Sequence, residues 1–283
     1  MKVLATGLNS LAEPGRIEGT SFGPDELLEI SRAAGREGLP LMIHANGSLA
    51  KIPAMGPCTV EHGFWLDGEH VELSTPQMTL AGLAARANGF DCFARIPPIG
   101  YWRVTQCLEA GMGGVMAAQI RRADEAEEFV RWAKFAPRGI RGLNVGGRDA
   151  DYSHKPAARF VEEANRDSFV AIQVETAEAV EHAEAIAAID GVDLLFIGPA
   201  DLSLALGVVG QFHHARLWEA VDRVAAACRN HGKAWGALIT DPEFAERAVA
   251  CGCRLATFGG DLLALRRGIE AFRSSFAAFF GGR

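Results

Sequence analysis

Val192-Asp193-Leu194-Leu195-Phe196-Ile197-Gly198-Pro199-Ala200-Asp201-Leu202-Ser203 is an apolar run that stops at a tight turn and a carboxylate. Upstream, Phe169-Val170-Ala171-Ile172-Gln173-Val174 stops in the same way, at Glu175. Both runs have the length and β-branched content of a strand buried on both faces. Between them Ala177–Ile189 has the apolar spacing of a helix. Strand, helix, strand, with chemistry at each strand end, is the unit of a parallel α/β fold.

The same unit recurs along the chain. Candidate strands are Leu39–His44, Thr59–Leu66, Phe90–Arg95, Gly114–Gln119, Phe169–Val174, Val192–Ile197, Lys233–Leu238 and Arg254–Phe258. Candidate helices are Gln77–Asn88, Tyr101–Ala110, Ala123–Lys134, Lys155–Asn165, Ala177–Ile189, Ala215–His231, Pro242–Ala250 and Leu262–Phe279, with a short, weak one at Ser48–Met55. No linker interrupts the alternation, so the expected fold is a single (β/α)8 TIM barrel over residues 25–283, preceded by a loosely attached extension over 1–24. A doubly wound open sheet is the alternative. At 283 residues the chain has the usual length of such a barrel.

Composition narrows the partners. Hydrophobic residues make up 49% and charged residues 22%, an ordinary globular balance. The net charge of −7, without a basic patch, argues against nucleic acid, and pairs such as Arg121-Arg122 and Arg266-Arg267 read as solvated helix faces. No apolar run reaches the roughly 18 residues that span a bilayer, so no membrane partner is expected. Six cysteines without C-x-x-C spacing read as reduced thiols, which points to the cytoplasm.

A barrel gathers its chemistry where strands end. Polar residues at those positions are Asp67, Glu69 and His70 after the second strand, Arg95 at the third, Gln119 at the fourth, Gln173 and Glu175 at the fifth, Asp201 at the sixth, Asp241 after the seventh and Asp261 after the eighth. Glu175 and Asp201 suit a divalent cation such as Mg²⁺ or Mn²⁺, because two carboxylates leave most of an octahedral shell open. The competing reading is that both cap the helices that follow them. The Gly198-Pro199-Ala200-Asp201 turn exposes backbone N–H groups suited to a carboxylate. His70, flanked by acids, is a candidate general base. Arg95, aimed into the barrel mouth, needs an anion, either a substrate oxygen or Glu69 or Glu175. The glycine-rich Arg141–Arg148 stretch lacks the phosphate-loop lysine and reads as a mobile loop.

Asp67-Gly68-Glu69-His70, Arg95-Ile96-Pro97-Pro98, Gly139-Ile140-Arg141-Gly142, Gln173-Val174-Glu175-Thr176 and Gly198-Pro199-Ala200-Asp201-Leu202-Ser203 together resemble the HpcH/HpaI aldolase/citrate lyase family, the class II pyruvate aldolases, in a form similar to 2-dehydro-3-deoxyglucarate aldolase. The resemblance covers about residues 64 to 279. It implies a phosphoenolpyruvate/pyruvate-type barrel and a homo-oligomer, a hexamer or trimer of dimers whose last helix packs on a neighbour. The implied reaction is cleavage of a 4-hydroxy-2-keto acid to pyruvate, or a close analogue, and an aldehyde.

By motif, Glu175 and Asp201 would hold Mg²⁺, Mn²⁺ or Co²⁺. Gln173, Gly198, Pro199, Ala200 and Ser203 would bind the keto acid, and Arg95 would stabilise the developing enolate oxygen. His70 would belong to the acid/base machinery with Asp67 nearby, supported by Glu109 where the family places an aspartate. Ala117-Ala118-Gln119 replaces an apolar-proline strand end, which implies altered substrate preference.

Residues 22–63 resemble an amidohydrolase segment instead, in which His44 and His62 would bind zinc. That leaves a zinc hydrolase as the second enzyme reading. A degenerate barrel that binds a keto acid without turning it over is the non-enzyme reading. The second strand decides part of this: ending near His62 it would permit the hydrolase geometry, and continuing to Leu66 it would put Asp67–His70 on the rim.

Overall fold

A computed structural model of the chain describes residues 41–45, 63–87 and 91–280. The strands are β1 (Leu41–Ala45), β2 (Gly63–Asp67), β3 (Asp91–Ile96), β4 (Gly114–Ala117), β5 (Phe169–Val174), β6 (Leu194–Ile197), β7 (Ala234–Ile239) and β8 (Leu255–Gly260). Each pairs in parallel with the next and β8 pairs with β1, which closes a TIM-like barrel. The described helices are α1 (Thr75–Ala87), α2 (Tyr101–Glu109), α3 (Ala123–Ala133), α4 (Ala157–Asp167), α5 (Ala177–Glu181), α6 (Ala183–Ala187), α7 (Pro199–Ala205), α8 (Ala215–Asn230), α9 (Pro242–Ala250), α10 (Asp261–Ser275) and α11 (Ala277–Phe280).

The strand pattern explains how polar groups reach the mouth. Side chains two apart on a strand share a face. Inside the barrel, Trp65, Phe93, Met116, Phe169, Ala171, Leu194, Phe196 and Leu255 form one buried cluster. Their rings interlock, Trp65 with Phe196 at 5.2 Å and Phe93 with Phe169 at 5.6 Å between centroids. Two residues beyond Trp65 is Asp67; two beyond Phe93 is Arg95; two and four beyond Ala171 are Gln173 and Glu175. The aromatic plug thus forms the floor of the polar rim, and a larger apolar cluster joins the outer strand faces to the helices.

Several sequence expectations need correction. The Ala177–Ile189 helix is two, divided at His182, whose backbone (φ −93°, ψ 4°) leaves the helical region. The strand expected to reach Gln119 pairs only to Ala117, because Gln119 turns to φ 54°. Pro199–Ala205 is an additional short helix with proline at its first position, where the missing N–H is harmless. The Leu262–Phe279 helix starts at Asp261 and breaks at Phe276.

The Arg141–Arg148 loop is fastened rather than mobile. Arg141 is buried, paired with Asp149 and stacked over Phe135. The Tyr101 hydroxyl accepts the Gly142 N–H, and Arg148 is buried as well.

β2 runs from Gly63 to Asp67, so Asp67–His70 form the rim. His44 stands in β1. His62, Cys58, Ser48–Met55 and the extension over 1–24 lie outside the described residues. Among the described residues no helix is long and apolar enough to cross a membrane. Burial pushes the thiols of Cys92, Cys107, Cys228 and Cys253 up to about 12.

Candidate active site

The rim is organised by Arg95. Its guanidinium forks onto Asp67, with Nη2 donating to Oδ2 at 2.7 Å and Nε to Oδ1 at 3.3 Å, and Nη1 lies 3.2 Å from Glu69 Oε2. Its side chain is 5% exposed and that of Asp67 1%, so this is a desolvated pair rather than a surface contact. The Trp65 ring lies beneath, 4.8 Å from the guanidinium carbon. Asp67 also accepts the backbone N–H groups of Glu69 (3.0 Å) and His70 (3.2 Å). Asp67 therefore shapes the loop and holds Arg95, and its link to His70 is through the backbone rather than the ring. The His70 ring is largely exposed, with Nε2 3.8 Å from Glu69 Oε2.

Glu175 is buried at the end of β5, and its two oxygens are held separately. Oε1 accepts the backbone N–H of Gln119 at 2.7 Å, and Oε2 accepts Gln173 Nε2. The left-handed backbone of Gln119, costly for a residue with a Cβ, is what turns that N–H toward the carboxylate. Burial, with the nearby charges of Glu69 and Asp201, pushes the Glu175 carboxyl up to about 7 despite the Gln119 hydrogen bond and Arg95. Gln173 Oε1 is buried without a hydrogen-bond partner among the described residues.

Neither acid caps a helix. Thr176 caps α5 by accepting the Ala179 N–H. Asp201 lies in the first turn of α7, whose cap is Gly198, and the Gly198 N–H is taken by the Val174 carbonyl. A Cβ at Gly198 would stand 2.6 Å from Gln173 Nε2 and 2.8 Å from Glu175 Oε2. Only glycine lets the Gln173 and Glu175 side chains lie this close to the turn.

Three expected site residues serve elsewhere. The Ser203 hydroxyl donates to the Ala200 carbonyl at 2.7 Å and accepts the Gly210 N–H at 3.0 Å, so it fastens α7 to the next loop instead of facing a ligand. Glu109 closes α2 at the end away from Arg95 and accepts from Asn144 Nδ2 at 3.0 Å, and no contact among the described residues joins it to His70. Asp241 caps α9 and binds His213 at 3.0 Å. The sequence reading put Glu69 on the rim and made it one possible anion for Arg95, whose network it completes, but gave no role to the Gln119 backbone. The two-residue spacing Asp67–Glu69 was the available signal for the first; for the second there was none.

Three carboxylates, Asp67, Glu69 and Glu175, thus share the Arg95 guanidinium at the mouth, and the charge of a fourth, Asp201, acts on Glu175. That excess of buried and half-buried carboxylates fits a divalent cation, with Glu175, Asp201 and the open amide oxygen of Gln173 as oxygen donors. Among the described residues no group of three or more His, Cys, Asp or Glu is arranged as a metal cage. A parallel barrel with acids and one guanidinium at its strand ends is the framework of a barrel enzyme.

The chain belongs to the HpcH/HpaI aldolase/citrate lyase family, whose model matches residues 76–267. This places it among enzymes of the lyase class. It is 32% identical over 251 residues to 4-hydroxy-2-oxo-heptane-1,7-dioate aldolase of Shigella flexneri, covering 86% of this chain and 90% of that protein. It is 34% identical over 217 residues to 4-hydroxy-2-oxovalerate aldolase of Rhodococcus jostii, covering 75% of this chain and 83% of that protein. Among solved structures, an HpcH/HpaI aldolase/citrate lyase family protein from Burkholderia cenocepacia superposes with a TM-score of 0.77 at 28% identity, over 90% of this chain and 99% of that one.

Proposed function

We propose that this chain is a divalent-metal-dependent aldehyde lyase that cleaves a 4-hydroxy-2-keto acid to pyruvate, or a close analogue, and an aldehyde. The observation that carries the metal is the buried Glu175 carboxylate, raised to about 7 by desolvation and by Glu69 and Asp201. The fold is taken as a (β/α)8 barrel of the phosphoenolpyruvate/pyruvate type over residues 25–283, with 1–24 as an extension. Glu175 and Asp201, with Gln173, would hold Mg²⁺, Mn²⁺ or Co²⁺, which when bound acts as a Lewis acid toward the keto acid.

The remaining steps belong to the chain. The Gly198–Asp201 turn receives the substrate carboxylate on the first-turn backbone N–H groups of Ala200 and Asp201, since the Gly198 N–H is taken by the Val174 carbonyl and Pro199 has none. A base in the Glu69–His70 loop takes the proton of the 4-hydroxyl, the C3–C4 bond breaks and the aldehyde leaves. Its electron pair moves toward the C2 oxygen, where Arg95, fixed by Asp67 and Glu69, stabilises the charge. Return of a proton to C3 releases pyruvate. The test is pyruvate release from a panel of 4-hydroxy-2-keto acids with each metal, coupled to a dehydrogenase. No release with any metal, or release indifferent to a chelator, overturns the reading; binding without release would favour the degenerate barrel.

Metal affinity should follow the ionisation of Glu175. The metal-free folded state keeps a proton up to about pH 7 that the unfolded chain releases near 4.5, so this group's stabilisation is lost as pH rises across that interval. A cation needs the ionised carboxylate. Mn²⁺ affinity should therefore rise with pH, release close to one proton per ion well below pH 7, and level off above it. Calorimetric titration in buffers of different ionisation heat measures both; affinity flat across this range removes Glu175 from the metal site.

The homo-oligomer reading rests on α10 and α11. Leu262, Leu265, Ile269, Phe272, Phe276 and Phe279 are all exposed, and no residue of α10 is buried. Their spacing of three and four makes one apolar stripe, which a second copy would cover. The double variant Ile269→Asp, Phe272→Asp should run as a 30.2 kDa monomer in light scattering where the parent does not. A monomeric parent chain overturns the reading.

A further inference from the structure

The loop that carries Glu69 and His70 runs from Asp67 at the end of β2 to Ser74 before α1. Both of its ends are held by the β3–α2 unit. At the start, the Gly68 N–H donates to the Arg95 carbonyl at 2.8 Å, and the Asp67 carboxylate is locked onto the Arg95 side chain. At the far end, Arg103, in the first turn of α2, donates from Nη2 to the Leu73 carbonyl at 2.7 Å. Leu73 itself is buried at 2% exposure, and Ser74 donates both its N–H and its hydroxyl to Gln77 Oε1 at 2.8 Å. The Arg103 guanidinium also passes close to the start of the loop, since a Cβ at Gly68 would lie 3.6 Å from Nη2. Between the two anchors, among the described residues, the loop backbone is held by the Asp67 carboxylate, and the His70 ring is exposed.

From this clamp we infer that Arg103 is a positioning residue, which acts on the reaction through the Glu69–His70 loop without touching substrate or metal. Arg95 fixes the entrance of the loop and Arg103 its exit, so the angle at which Glu69 and His70 meet the mouth depends on both. Substrate and metal binding are assigned to β5, β6 and the Gly198 turn, which Arg103 does not contact. Its loss should therefore be felt in turnover rather than in substrate affinity. The kinetic part of this inference rests on the lyase reading, whereas the structural part does not.

The test uses Arg103→Met and Arg103→Lys in the full chain. In Arg103→Met, amide exchange over residues 67–74 should quicken by about tenfold or more, while 169–175 and 194–203 keep the parent rates. A carboxylate or histidine displaced by about 1 Å loses on the order of 10- to 100-fold in kcat, with KM for the keto acid held within about threefold. The pH–rate limb contributed by the loop should shift in the same variant. Arg103→Lys, which keeps one donor able to reach the carbonyl, should recover kcat to within about fivefold of the parent.

Unchanged exchange over 67–74, a loss carried by KM, or a lysine variant as poor as methionine each overturns the inference. If Arg103→Met fails to fold, Arg103→Gln is read against Arg103→Lys by the same exchange and kinetic criteria. If the parent cleaves no keto acid, the lyase reading fails, and loop exchange alone decides whether Arg103 holds the loop.

Discussion

Asp201→Ala should abolish metal-dependent cleavage while leaving the protein folded. The half-buried Asp201 carboxylate makes no hydrogen bond or ion pair among the described residues, yet its charge contributes to raising Glu175. Taking it away leaves Glu175 as the only carboxylate proposed for the cation. Lewis-acid stabilisation amounts to several kcal/mol, so its loss should lower kcat/KM by roughly a thousandfold or more. The stability terms nearly cancel. Asp201 sits in the first turn of α7, where an anion stabilises a helix by about 0.3–1 kcal/mol, and its removal relieves repulsion on Glu175 by a comparable amount. Thermal unfolding without metal should stay within about 1 kcal/mol of the parent, and Mn²⁺ should no longer raise the melting temperature. Full activity with preserved Mn²⁺ stabilisation would remove Asp201 from the metal site.

What could be read from the sequence follows a physical boundary. Parallel strands read as near-continuous apolar runs, so all eight could be picked out, and their alternation with helices pointed to a barrel with an open sheet as the alternative. Strand ends in a barrel converge whatever their separation in the chain, so Arg95, Glu175 and Asp201 could be gathered onto one rim. What escaped depends on partners distant in sequence or on backbone angles. Nothing in Val115-Met116-Ala117-Ala118-Gln119 announces a left-handed residue at Gln119, because the reason for it is a carboxylate 56 positions away. Ser203 looked available for substrate until Gly210 claimed it, and Glu109 looked like support for a histidine until Asn144 claimed it. The Arg141–Arg148 loop read as mobile from its glycines, and its anchors, Tyr101, Asp149 and Phe135, are long-range or side-on contacts. Side-chain chemistry at strand ends was legible; its allocation among competing partners was not.

Arg95 is where stability and chemistry are most tightly joined. Arg95→Met removes a buried cation and leaves Asp67, 1% exposed, and Glu69, 11% exposed, without it. Breaking a buried pair from one side costs about 3–5 kcal/mol, which for a chain of this size lowers the melting temperature by roughly 10 °C. Cleavage should fall by a further 10²- to 10³-fold, roughly the usual effect of losing one donor to a developing oxyanion. A second substitution separates the two effects. In the double variant Arg95→Met, Asp67→Asn, the amide oxygen at position 67 would still accept the Glu69 and His70 N–H groups, but the side chain would carry no orphaned charge. Denaturant unfolding should therefore show most of the lost stability restored, whereas kcat/KM should remain as low as in the single variant. Recovery of both together would make Arg95 purely architectural. Recovery of neither would mean that the cost lies in the Trp65 stacking and packing of the guanidinium, and that the unpaired Asp67 carboxylate is not its source.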